Sequence, residues 1–274
     1  MIRLAIRVAR ADAEVALAEL LELVPAGVEE VDRGETIEYA VYGAEGELPA
    51  LPDVRAAAGA ALVEVSTTRV ADDWASRWRD FHVPVTIGER LHVRPPWADP
   101  PIDEELLDIV IDPNQAFGTG AHATTRLCLE ALLALDEHSG ALVDLGCGSG
   151  VLAIAAAKLG WGPVSGLDHE HEAVAAAHEN ARANRVTLDV RHGDLLHGKQ
   201  PAPSAPTVVA NLLRPLLAHI AHTGFAGEPP QTMIVGGLLR GEADAVAAAF
   251  TREQGLRERA RRERGEWAAL TLVA

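Results

Sequence analysis

Three carboxylates and a run of glycines carry the clearest chemistry in this chain. The segment VDLGCGSG places Asp144 two residues before the first of three alternate glycines, Gly146, Gly148 and Gly150. Glycines at that spacing leave the backbone bare, so a ligand can come close to it. The helix expected behind them, VLAIAAAKLG, offers unsatisfied N–H groups at its start. Asp168 follows 22 residues beyond Gly146, at the end of the strand-like run Pro163–Leu167. A carboxylate at the end of a second strand is where a doubly wound fold holds ribose hydroxyls. Asp194 stands in GDLL, after a third strand-like run. This arrangement fits the binding of a ligand with an adenosine-like half.

The spacing also selects among such ligands. A dinucleotide fingerprint, G-x-G-x-x-G, needs a glycine at position 151, where this chain has Val151. The pattern D-x-G-x-G-x-G instead resembles the first motif of class I S-adenosylmethionine-dependent methyltransferases. That resemblance implies that Asp144, Gly146 and Gly148 belong to the cofactor loop, that Asp168 binds the ribose and that Asp194 lies near the adenine. A metal site is not expected, because the histidines are scattered without ligand spacing.

These residues need a scaffold, and from about residue 107 the pattern supplies one. Apolar strand and helix alternate, the signature of a parallel sheet covered on both faces. LDIVID leads into a loop containing FGTG. A helix over 124–136, a strand over 141–145 and a helix over 151–159 follow. Then come a strand at 163–168, a helix at 170–184 and strands at 186–191 and 207–210. The tail supplies the strand TMIVGGLL, a helix over 241–254 and a terminal strand AALTLV. The dense basic run 257–264 is interleaved with Glu258 and Glu263 and reads as a solvated face.

Residues 1–67 have a different rhythm. A strand (IRLAIRV), a helix (DAEVALAELLELV), two strands around Gly34, a short helix within 49–60 and a last strand (ALVEVST) give β-α-β-β-α-β, the ferredoxin-like order. Between the two parts, residues 68–101 read as a linker and anchor, with Trp74, Trp78 and Phe81 at one helical face. Stacking on a substrate is the alternative for those three rings. The expected architecture is therefore α/β. It joins a doubly wound, Rossmann-like methyltransferase domain over 102–274 to a small N-terminal α+β domain over 1–67.

Composition narrows the partners. A net charge of −16 argues against nucleic acid, whose phosphates need clustered Lys and Arg, and suits a basic protein substrate. Two cysteines cannot build a disulfide framework. The charged N-terminal stretch reads against a secretory leader, and no apolar run is long enough to span a bilayer, so the cytoplasm is the expected location.

FGTG-x-H-x-TT ahead of D-x-GCGSG makes the resemblance more specific, to the ribosomal protein L11 methyltransferase family. The likeness continues through the linker (Trp74, Trp78, Phe81, Pro84, Gly88, Pro95, Trp97), VVANLL, the late glycine turn and Glu266-Trp267. It covers about residues 70–274. The first domain matches only in its element order. Ala121 and Ala123 depart from the family's usual Thr and Pro, and NLLR from its more frequent NIL-A. The resemblance implies an enzyme that uses S-adenosylmethionine to methylate amino groups of large-subunit ribosomal protein L11, with the small domain recognising that substrate.

Individual roles follow from the same resemblance. Phe117, with Gly118 and Gly120 as hinges, would form a lid over the cofactor; a buried Phe in a tight turn is the alternative. Thr125 matches the family's cofactor-binding threonine, and otherwise caps a helix. His122 is a candidate polar contact near the methionine end, or a structural loop residue. Asn211 follows VVA at the carboxyl edge of the sheet, where related amine and amide methyltransferases place an Asn or Asp within N-P-P-Y. It would accept a hydrogen bond from an incoming amine, or else cap the next helix. The Pro-Pro of that gate is absent, which weighs against nucleobase and glutamine-amide substrates. The catalytic candidates are thus Asn211 and His122. The cofactor-binding candidates are Phe117, Gly120, Thr125, Asp144, Gly146, Gly148, Asp168, Asp194 and Asn211. A related methyltransferase of another basic protein or small amine, and a non-catalytic ribosome assembly factor, remain as rival readings.

Overall fold

The computed structural model describes residues 2–13, 16, 20, 29–43, 48–49, 51–69, 82–113, 120–197 and 201–274. They fall into two compact units, Met1–Phe81 and His82–Ala274.

In the first unit, strands β1 (Ile2–Ala9), β2 (Glu29–Asp32), β3 (Thr36–Gly43) and β4 (Leu62–Arg69) form one sheet, with helix α1 (Leu51–Ala58) before the last. The order is β2-β3-β1-β4 and every pairing is antiparallel, the ferredoxin-like arrangement. Alternation along the strands builds its core. Leu4, Ile6 and Val8 of β1 and Ile37, Tyr39 and Val41 of β3 face Ala13, Ala16, Leu20 and Val54. On the other face the carboxylate of Glu38 is buried among Arg3, Arg7 and Arg33, at 2.7–3.1 Å. Chiefly through the Arg3 hydrogen bond, these guanidiniums hold it down at about 2. Most of the helix expected over 12–24 lies outside the described residues, as do Trp74, Trp78 and Phe81.

The second unit opens with a small sheet of β5 (Val85–Ile87), β6 (Leu91–Arg94) and β7 (Leu107–Val110). Strand β6 pairs with β5 on one side and with β7 on the other, so residues 85–94, within the expected linker and anchor, belong to the small sheet of this unit. The main sheet contains β8 (Leu142–Leu145), β9 (Val164–Asp168), β10 (Asp189–His192), β11 (Thr207–Asn211), β12 (Thr232–Leu239), β13 (Arg257–Arg264) and β14 (Trp267–Val273). Their order is β10-β9-β8-β11-β12-β14-β13. The first five run parallel, and β14 is inserted antiparallel between β12 and β13. This is the expected doubly wound sheet.

Helices α2 (Ala123–Leu133), α3 (Val151–Leu159), α4 (His171–Ala183), α5 (Arg214–Thr223) and α6 (Ala243–Gln254) cover it. Strand residues alternate between the two layers. Leu142, Val209, Ile234 and Ala269 pack with residues of α2, α3 and α4, while Val143, Val208, Met233 and Leu270 pack with Leu217, Ile220, Val246 and Phe250 of α5 and α6. Burial on both faces explains why these strands read as continuous apolar runs.

Strands β5, β6 and β13 were not among the expected elements. Helix α5 carries Pro215 in its first turn, a position that tolerates proline because the N–H there has no partner to lose. The basic run 257–264 is indeed solvated, yet it is also the edge strand β13. Charges along an exposed edge discourage pairing with another chain.

Candidate active site

The strand order reverses between β8 and β11, and open α/β sheets bind ligands at such a switch point, beyond the carboxyl ends of the strands. A cavity of about 500 Å³ lies there, within the roughly 300–1,000 Å³ range of small-molecule sites. Among the expected residues, Thr125, Gly146, Gly148, Asp168, Asp194 and Asn211 line it together.

The glycine loop is shaped by close approach. Gly146 has φ +72°, and a Cβ there would stand 2.3 Å from Leu212 Cδ2, a side chain reaching over from just past the end of β11. The N–H groups of Gly146 and Cys147 both donate to the Leu167 carbonyl, at 2.7 and 3.0 Å, which tethers the loop to β9. Gly150 starts α3 and would bring a Cβ to 3.1 Å from Ala177, so the third glycine serves helix packing.

Asp168 is buried at the tip of β9. Its Oδ2 accepts from the Gly148 N–H at 2.8 Å and its Oδ1 from the Glu170 N–H at 3.1 Å. Both oxygens keep further acceptor capacity, as a pair of ribose hydroxyls requires. Asp194 is more open. Its Oδ1 accepts from the N–H groups of Leu196 and His197, and its Oδ2 lies 2.8 Å from His197 Nδ1. The backbone hydrogen bond from His197, with that ring and the Leu196 N–H, draws its carboxyl down to about 2.

Asn211 ends β11. Its Nδ2 donates to Thr125 Oγ1 at 3.5 Å, while its buried Oδ1 accepts no hydrogen bond from the described residues. It does not cap α5, whose N-cap is Leu213. Thr125 does not cap α2 either, since His122 does.

Other expected residues stand away from the cavity wall. His122 accepts from the Thr124 N–H at 3.3 Å, and its ring lies edge-on to Trp267 with centroids 5.2 Å apart. Helix capping and ring packing thus hold the imidazole that was expected at the methionine end. Gly120 lies against β6, where a Cβ would stand 2.8 Å from Val93 Cγ1. Asp144 is fully buried below the loop and does not line the cavity. Burial raises its carboxyl to about 7, the Ala153 N–H opposing and the Asp168 charge adding. Phe117 and Gly118 lie outside the described residues. Cys147 does line the cavity, but burial, then the Asp144 and Asp168 charges, push its thiol far above the usual range and leave no thiolate nucleophile.

Sequence reasoning missed two supporting residues. Asn180 of α4 donates from Nδ2 to the Ser149 carbonyl at 2.9 Å and accepts the Asp112 N–H on Oδ1 at 3.0 Å. One turn on, Asn184 exchanges two hydrogen bonds with the Val110 backbone, at 2.9 and 2.6 Å. The available signal was position: both asparagines continue the buried stripe of Ala173, Ala176 and Ala177.

A sequence profile of the family described as ribosomal protein L11 methyltransferase (PrmA) matches residues 29–274. A ribosomal protein L11 methyltransferase of Heliobacterium modesticaldum is 40% identical over 202 residues, which cover 73% of this chain and 63% of that protein. The match to the protein of the same name from Chromohalobacter salexigens is 39% identical over 211 residues, 76% of this chain and 69% of that one. The chain thus spans somewhat under two-thirds of the first relative's length. A crystal structure of ribosomal protein L11 methylase from Lactobacillus delbrueckii subsp. bulgaricus aligns with a TM-score of 0.61 and 26% identity, over 70% of this chain and 98% of that one.

Proposed function

Because this chain belongs to the ribosomal protein L11 methyltransferase family, we propose that it transfers methyl groups from S-adenosylmethionine to lysine and N-terminal amino groups of ribosomal protein L11. The observation that carries this reading is Asn211, which lines the cavity and whose oxygen accepts no hydrogen bond from the described residues. The cavity fits the cofactor. It offers bare glycine backbone, a pinned Asp168 with acceptor capacity for two ribose hydroxyls, and Asp194 on the adenine side.

When bound, S-adenosylmethionine supplies a methyl group already activated by its positively charged sulfur, so the chain's own work is positioning. A lysine amine has a pKa of about 10.4 in water and must shed a proton before its lone pair can react. The apolar wall of Leu152, Leu212 and Leu213 disfavours the ammonium form. Asn211 Oδ1 then accepts one N–H of the neutral amine and turns its lone pair toward the methyl group. Thr125 steadies the carboxamide from its nitrogen side. The proton leaves to solvent.

The net charge of −16 favours approach of a basic protein. We assign the grip on that protein to the N-terminal domain over residues 1–67, whose ferredoxin-like sheet carries no recognisable catalytic group. No helix among the described residues is long and apolar enough to cross a membrane, and we assign the reaction to the cytoplasm.

Intact mass spectrometry of unmethylated ribosomal protein L11, incubated with this protein and S-adenosylmethionine, tests the reading. Mass gains in whole methyl steps, absent without the cofactor, are expected. Cofactor binding without any gain would remove the substrate assignment.

A further inference from the structure

Strand β12 interrupts its own pairing beside Asn211. It runs in register with β14 to Val235↔Leu270 and resumes at Leu238↔Ala268, so Gly236 and Gly237 together oppose the single residue Ala269. This is a β-bulge, a device that re-aims side chains next to sites. On the other side of β12, Gly236 is the register partner of Asn211, and the Leu212 N–H donates to the Gly236 carbonyl at 3.2 Å.

Both glycines are required by what passes over them. Gly237 has φ +76°, and a Cβ would lie 2.4 Å from the Leu212 carbonyl oxygen and 3.0 Å from its nitrogen. The chain leaving Asn211 therefore rests directly on Gly237. At Gly236 a Cβ would lie 2.3 Å from Cys128 Sγ and 3.0 Å from Asn211 Oδ1. Cys128 stands one turn after Thr125 on α2, so the two line one face of that helix. The hydrogen bonds of Asn211 hold it weakly, since Nδ2 has one long bond to Thr125 and Oδ1 has no described donor. Packing must set where that oxygen points.

We propose that the Gly236-Gly237 bulge is the positioning element for Asn211, holding its carboxamide oxygen where the acceptor amine meets it. The proposal rests on the role of Asn211 given above. Gly236 acts through Asn211 and touches neither substrate nor cofactor. A methyl group at 236 displaces the oxygen by a few tenths of an ångström or more, and misplacement on the order of 1 Å costs about a hundredfold in rate.

The test uses Gly236→Ala in a Cys128→Ala background, which removes the 2.3 Å overlap with sulfur and keeps the 3.0 Å approach to Asn211. Melting temperature, cofactor Kd, and kcat and KM for unmethylated ribosomal protein L11 are compared with the Cys128→Ala parent. We expect stability, Kd and KM to hold while kcat falls at least tenfold. The same change made on top of Asn211→Ala should cost no further rate, because a device that acts through Asn211 has nothing left to position. Undiminished kcat, or an additive loss in the Asn211→Ala background, overturns the proposal while leaving Asn211's own role intact. If Asn211→Ala alone leaves kcat unchanged, the reading beneath the proposal fails with it. Should Gly236→Ala not fold, ¹⁵N relaxation of the Asn211 side-chain amide in the unmodified protein decides. An order parameter near the rigid value of about 0.85 supports a held carboxamide, and one below about 0.6 overturns it.

Discussion

Asn180 and Ser149 are joined by a buried hydrogen bond, the side-chain amide donating to the backbone carbonyl at 2.9 Å. Through it the glycine loop is fastened to α4, and through the second end of the same amide α4 is fastened to the Asp112 N–H. A single carboxamide thus ties the glycine loop to the backbone just past β7.

Asn180→Leu keeps the volume and removes both bonds. Loss of the two bonds costs about 2–4 kcal/mol in unfolding free energy. Urea denaturation should show this loss, and calorimetry should show weaker cofactor binding because the loop is no longer pinned. Equal stability of the two proteins would refute the tie.

Asp168→Asn replaces one acceptor by an NH₂ that must face either the Gly148 or the Glu170 N–H. Losing a charge-assisted acceptor is worth about 1.5–3 kcal/mol, so cofactor affinity should fall roughly tenfold to a hundredfold. Isothermal titration reads this directly. An unchanged Kd would mean that the ribose is held elsewhere.

The pH dependence of stability should carry a contribution of unusual sign. The folded chain holds a proton on Asp144 up to about pH 7, whereas an unperturbed aspartate releases it near 3.8. Between those values the folded state binds more protons than the unfolded state, so this group's contribution to stability declines as pH rises. Asp144→Asn removes the decline. Its advantage over the parent should grow from pH 4 to 7 and level off above, as followed by denaturant melts in that range. Parallel pH profiles would show that Asp144 ionises normally.

The catalytic layer was legible in the sequence where burial is two-sided. Strands β8, β11 and β12 carry consecutive apolar residues (LV, VVA, MIV) because helices cover both faces, and D-x-G-x-G-x-G announces the loop between β8 and α3. Burial also disguised what was missed. Asn180 and Asn184 look like surface residues of an amphipathic helix, yet they occupy its buried stripe, a choice that only their backbone partners explain. His122 caps α2 and packs on Trp267, a ring partner far along the chain that no local motif announces. Strand β13 escaped notice because charged residues fill every position of RERARRER except Ala260, which erases the two-residue period.

That same strand decides how the sheet ends. Its guanidiniums are drawn sideways by carboxylates of neighbouring elements: Arg259 by Asp136, Arg261 by Asp244, Arg264 by Glu130. A second strand of like composition laid along it would meet a palisade of cations already fixed in place. At this end of the main sheet the charges themselves, placed by the side chains of β13, make a further strand of the same kind an unfavourable neighbour.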